Sequence, residues 1–154
     1  MKYSKGYDYQ TESGSAFPTS FHPAAKIVTQ FITLEKSGLL VIAKGYAWDG
    51  PSGFTYHDKL FILISLPHDA LYQLMRMGLL PHAEWRKADL EMKRVLDYYL
   101  GSILDDLLDI TALKKKLLKA LWAVRIIYIM AILKAAKGQY AHPDYRKVIY
   151  EVAY

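Results

Sequence analysis

The stretch LPHDALYQLMRMG, Leu66 to Gly78, sets a histidine, an aspartate and a tyrosine into what otherwise has the spacing of a buried helix face. His68 falls on one stripe with Ile64, Leu71 and Met75, Asp69 is its neighbour, and Tyr72 lies one turn further on. A further acid, Asp89, interrupts the stripe Trp85, Met92, Leu96 and Tyr99 of the next segment. A carboxylate on an apolar face is costly unless paired, so Asp89 needs a partner. The short connection MGLLPHAE makes the two helices antiparallel neighbours, and His68 and Asp89 lie at similar separations on either side of Gly78. A His68–Asp89 contact is therefore expected.

Such a pair fixes the imidazole tautomer and leaves the other ring nitrogen to act as a general base toward water. Asp69 then points to an adjacent face, where it can ligate a cation. The loop WDGPSG, Trp48 to Gly53, can complete a hard-cation site through Asp49 and the carbonyl of Gly50, with Ser52 in support. Oxygen ligands in a chain without cysteine suit Ca2+ or Mg2+ better than a structural zinc. The same residues also have a structural reading. His68 and Asp89 then tie two helices together, Asp69 favours a helix N-terminus, Tyr72 packs, and Asp49 forms a turn.

The remaining polar residues carry less. YHDKL at 56–60 repeats the His-Asp pair, but Asp58 there suits an N-cap, and nothing requires His57 as a ligand. His22, His82 and His142 each adjoin a proline and receive no role. LKKKLLK at 113–119 is a basic helix face, with phosphate or lipid contact as the second reading. The chain has no phosphate-binding loop, nucleotide fingerprint or serine elbow, so no organic cofactor is expected.

The elements that must position these residues follow from periodicity. Residues 1–23 read as an extended arm or loop, with room for a short strand. Residues 24–50 read as a β-hairpin turning at Ser37-Gly38, with Val28, Ile32 and Leu34 on one face of the first run and Leu40, Ile42, Tyr46 and Trp48 on one face of the second. The helical part is 57–138. Either a helix starts afresh at Pro67 or a longer one is kinked there; the fresh start is preferred, because proline is welcome at the first helical position, and the helix ends at Gly78. A second covers HAEWRKADLEMKRVLDYYLG, and a third, with a potential interruption, covers 103–136 and closes on Gly138. The tail, 139–154, supplies one last short element. These add up to one α+β domain, an N-terminal hairpin or small antiparallel sheet followed by about three packed helices.

At 154 residues the chain suits one domain with a real core, and its 53% hydrophobic and 23% charged residues are ordinary for a globular protein. The absence of cysteine excludes disulfides, a thiol nucleophile and thiolate metal sites. A formal charge of +5 favours anionic surfaces in general, without requiring nucleic acid as a partner. The start has no apolar signal region, and cytoplasm is the expected compartment. ALWAVRIIYIMAIL, Ala120 to Leu133, is interrupted by Arg125 and is too short to span a bilayer, so a core helix is preferred over an interfacial one.

Two resemblances add to this reading. GYAWDGPSG, HDALYQLMR, RKADLEMKRVL and LWAVRIIYIMAILKAAKG together resemble a family of small, functionally uncharacterised proteins of tailed bacteriophages and prophages, over residues 40 to 138. That resemblance implies a phage origin, placing the protein in the infected host's cytoplasm or on the virion, and brings no established activity. Locally, H-D-x-x-Y on one helix and A-D on the next is similar to the phospholipase A2 pattern, particularly the cysteine-free version in parvoviral capsid proteins. That similarity implies His68 as the water-activating base, Asp89 as its orienting carboxylate, Asp69 as calcium ligand, the 50–53 backbone as the rest of the ion site, and Tyr72 bonded to Asp89. Pro67 directly before the histidine and strands upstream of the loop are differences from those enzymes.

Two functions are expected on these grounds. One is a hydrolase-like domain with a divalent cation, acting on an ester of a lipid or of a phosphorylated small molecule. The other is a non-enzymatic accessory protein, a virion or tail component or a binder of a host factor, in which the polar cluster only locks the helices.

Overall fold

The structure is a computed structural model that describes residues 9–48, 59–106 and 111–142. Among the described residues six short strands precede three helices, an α+β architecture. The strands are β1 (Tyr9–Gln10), β2 (Ser15–Pro18), β3 (Ile27–Val28), β4 (Ile32–Leu34), β5 (Leu39–Ile42) and β6 (Ala47–Trp48). The helices are α1 (Lys59–Arg76), α2 (Trp85–Asp106) and α3 (Ala112–Ala136).

The centre of the sheet is the β4–β5 hairpin, in which Ile32 pairs with Ile42 and Leu34 with Leu40. Its turn closes through Gly38, whose N–H donates to the Glu35 carbonyl. Gly38 has φ +87°, and a Cβ there would stand 2.5 Å from the Thr19 carbonyl oxygen, so only glycine fits. Strand β2 adds to the far side of β5 and β3 to the far side of β4, giving the antiparallel order β2-β5-β4-β3. A separate two-stranded ribbon pairs β1 with β6.

The arm up to residue 23, read with room for one short strand, supplies two, β1 and β2, and Phe17 of β2 is buried. The first run of the hairpin is also not one strand. It folds back between Val28 and Ile32, because the Thr29 hydroxyl accepts the Ile32 N–H and donates to the Ile32 carbonyl. Val28 is left exposed, whereas Ile32, Leu34, Leu40, Ile42, Tyr46 and Trp48 are buried.

Helix α1 differs most from expectation. It does not start at Pro67 but runs through it, with eight residues on its N-terminal side. Proline in a helix interior removes one hydrogen bond and crowds the preceding turn. In that turn the Ser65 hydroxyl donates to the Ile62 carbonyl and accepts the Trp48 indole N–H. Burial of Phe61, Ile64, Leu66, Leu71, Leu74 and Met75 outweighs the local loss, since each such side chain contributes about 1.5–3 kcal/mol on removal from water. The helix ends as expected at Gly78 (φ +69°). The Gly78 N–H bonds the Met75 carbonyl and the Leu79 N–H the Leu74 carbonyl, the paired closure of a Schellman cap.

Helix α2 follows one 3-10 turn at His82–Glu84, packs against α1, and continues past Gly101 to Asp106, further than its sequence suggested. Helix α3 is capped by Thr111, whose hydroxyl accepts the Lys114 N–H. It turns inward only Ile126 and Ile129 as fully buried residues, with Trp122, Met130 and Leu133 partly covered. The C-terminal end of α3 is clamped. A Cβ on Gly138 would come within 2.3 Å of the Trp85 ring, and the His82 Nε2 hydrogen-bonds the Gly138 carbonyl. A 3-10 turn at Gln139–Ala141 follows, and the tail from 143 lies outside the described residues.

Candidate functional site

The antiparallel packing of α1 on α2 brings His68 and Asp89 together. The His68 Nε2 lies 3.1 Å from Asp89 Oδ1, in the contact their placement around Gly78 implies. Tyr72, one turn along α1, donates its hydroxyl to the same oxygen at 2.7 Å. Its ring lies 4.2 Å from the imidazole, centroid to centroid. The other oxygen, Asp89 Oδ2, faces the Arg86 guanidinium at 3.4 Å from the preceding turn of α2. Asp89 is wholly buried, so each of its oxygens meets a donor inside the protein.

Asp69 departs from the expected arrangement. Instead of turning to an adjacent face it lies on the second imidazole nitrogen, with Oδ1 3.1 Å from His68 Nδ1. The nitrogen expected to remain available for water is thus occupied. Burial opposes a charge on His68, but the Asp69 and Asp89 hydrogen bonds and charges together overcome it and push its pKa from the usual 6.5 up to about 9. At neutral pH the ring is an imidazolium donating through both nitrogens. Tyr72 is held protonated well above the usual phenol range, first by burial and then by its bond to Asp89. Formal charges balance within the cluster, with His68 and Arg86 positive and Asp69 and Asp89 negative.

The remaining candidate residues are distributed as follows. Asp49, Gly50 and Ser52, expected to complete a cation site, lie outside the described residues, as do His57 and Asp58. Among the described residues no three His, Asp or Glu side chains gather as a metal site. Asp69, the half-buried acid, is engaged by His68, so the described donors alone do not fit a calcium or magnesium ion. His22 contacts the Lys36 carbonyl, while His82 and His142 pack edge to face at 5.1 Å. None of these three joins the cluster.

Two functional-looking residues escaped the sequence reading. Arg86 lies off the apolar stripe of α2, although its position three before Asp89 is a usable signal. Glu91 is also inside, only 3% exposed, where it accepts the Ser20 N–H at 2.8 Å and the Arg94 Nε–H at 2.7 Å. Arg94 reaches on to the Pro18 carbonyl, so this second cluster ties α2 to the end of β2.

Comparison of the chain with protein-family models, with curated proteins and with solved structures gives no match.

Proposed function

We propose that this chain is a non-enzymatic binding protein, of the accessory kind that tailed phages encode, in which His68 is the charged centre of an internal clamp. The observation that carries this reading is the occupation of both imidazole nitrogens by carboxylates. A general base needs a free lone pair directed at its substrate, and an imidazolium held by two acids offers none. The closed network, with Tyr72 and Arg86 completing the bonds of Asp89, supports a structural role for the same reason. The phage assignment rests on the motif resemblance over residues 40 to 138.

A second reading, a hydrolase-like site, is favoured by one specific feature. The order Tyr72, Asp89, His68, Asp69 matches that of the phospholipase-like pattern, and Asp69 is its most exposed member, with 23% of its side chain accessible. On that reading a divalent cation would draw Asp69 off the ring and free Nδ1. The cation would polarise an ester carbonyl, while Asp89 and Tyr72 hold the imidazole in place.

Ring NMR of His68 together with a calcium or magnesium melting titration separates the two. The clamp requires an imidazolium at pH 7 and a melting temperature indifferent to either cation. A cation at 100 times its Kd adds about 2.7 kcal/mol. A cation-dependent rise in melting temperature, with a neutral ring and ester hydrolysis lost in His68→Ala, would overturn the clamp reading.

A further inference from the structure

Helix α3 presents an apolar face away from the protein. Ile126 and Ile129 point into the core, and on the opposite side Leu113, Leu117, Leu121, Val124, Tyr128 and Ile132 are each between 44% and 77% exposed. Their spacings of three and four place them along one side of the helix over about 28 Å, at 1.5 Å per residue. Single exposed apolar residues are ordinary, but a continuous stripe this long exceeds what monomers leave to water without a use.

The charge on α3 selects the occupant. The helix contains Lys114, Lys115, Lys116, Lys119, Lys134 and Arg125, and no acidic residue. At 3.6 residues per turn, Lys114 falls at one edge of the stripe and Lys116 and Lys134 at the other. A second copy seated on this face, parallel or antiparallel, would set lysines against lysines. An anionic bilayer surface satisfies both features at once. The apolar stripe enters the boundary between headgroups and acyl chains, and the lysines at its edges meet the lipid phosphates. No described helix is long and apolar enough to cross a membrane, so the helix would lie in the surface rather than span it.

We propose that the outer face of α3 docks onto anionic lipid membranes. This names the partner of the binding protein proposed above, yet rests on α3 alone, so it stands or falls independently of the His68 titration.

The test is co-sedimentation of the full chain with vesicles of phosphatidylcholine alone and of equimolar phosphatidylcholine and phosphatidylglycerol, with sedimentation velocity for oligomeric state. The expected result is a monomer that pellets with the anionic vesicles and little with the neutral ones. Replacing Lys114, Lys116 and Lys134 together by Gln should weaken binding roughly a hundredfold, from the attraction of three charges to the surface. Leu117→Asp with Val124→Asp should abolish binding without altering the melting temperature, because both positions are exposed. Three results would overturn the proposal. They are failure to bind anionic vesicles, a dimer that the Asp pair splits, and a melting temperature that the Asp pair lowers by many degrees, which would mean that the chain itself covers the stripe.

Discussion

His68 and Asp89, on neighbouring antiparallel helices, meet at 3.1 Å with Asp89 wholly buried, and Asp69 closes the imidazole from its other side. Three ionisable groups therefore sit at the seam of α1 and α2, where apolar side chains would ordinarily pack. The ion pairs in that seam exist only while the ring is charged.

That condition sets the pH dependence. The folded pKa of His68, about 9, lies above its ordinary 6.5. Its contribution is complete below pH 6.5 and is lost as pH rises through 9. The loss is about 3 kcal/mol at roughly 1.36 kcal/mol per pH unit. Tyr72 adds a second decline above pH 10, since its phenol keeps its proton longer in the folded chain. Urea unfolding between pH 6 and 10 should show stability falling across this range in the wild type and far less in His68→Ala. A stability that is flat or rises would contradict a charged ring.

Substitutions within the cluster should be graded by how much charge they strand. Asp89→Ala leaves the imidazolium and Arg86 without their shared acceptor and should cost about 3–5 kcal/mol. Tyr72→Phe removes one donor while His68 still serves the same oxygen, so about 1 kcal/mol is expected. Denaturation midpoints measure both, and equal losses would mean that Tyr72, not the ion pair, dominates.

Glu91 should behave as a core residue in spite of its charge. It accepts from Ser20 and Arg94 in a buried position, so Glu91→Ala should cost about 2–4 kcal/mol, against a few tenths for the exposed Lys93→Ala on the same helix. Similar small effects at both positions would rule out a buried anchor there.

Gly138→Ala should destabilise more than a surface glycine normally would. Its φ is +69°, and the added methyl would run into Trp85 at the start of α2. The expected cost exceeds about 1 kcal/mol, whereas Gly78→Ala, with the same φ and open space around it, should show the backbone part alone. Thermal melting of the two variants side by side isolates the Trp85 contact.

Much of this arrangement was legible in the residues. The β4–β5 turn was signalled by Ser37-Gly38, and the stripe of α2 by its regular spacing. The His68–Asp89 contact followed because so short a connection leaves two helices few ways to pack. The failures have physical causes. Pro67 breaks an isolated helix, and only the burial of the residues around it, invisible in a single segment, shows why α1 continues. Val28 leaves its stripe because a threonine hydroxyl, not a glycine, closes the turn after it. Glu91 sits among eight other charged residues on α2, and the partner that ties it to β2, besides Arg94 on its own helix, is a backbone N–H with no signature of its own. Asp69 could be placed on α1 from sequence, but the rotamer that aims it at His68 could not.

The bonds from α2 to the end of β2 have a consequence for how the chain reaches its final state. Ser20 and Glu91 are 71 residues apart, so during synthesis the early strand waits for most of the polypeptide before this anchor exists. The contact is non-local, and its loop-closure entropy must be met before it contributes, whereas helix and hairpin contacts are local. The β2–β5 pairing, with Thr19 bonded to the Gly38 carbonyl, needs only the first 42 residues, but the tie from the Pro18 end to α2 forms only when Arg94 arrives. Docking of the sheet onto the helices is therefore gated by the middle of the chain, and a chain that stops short of α2 would carry the strands without their anchor.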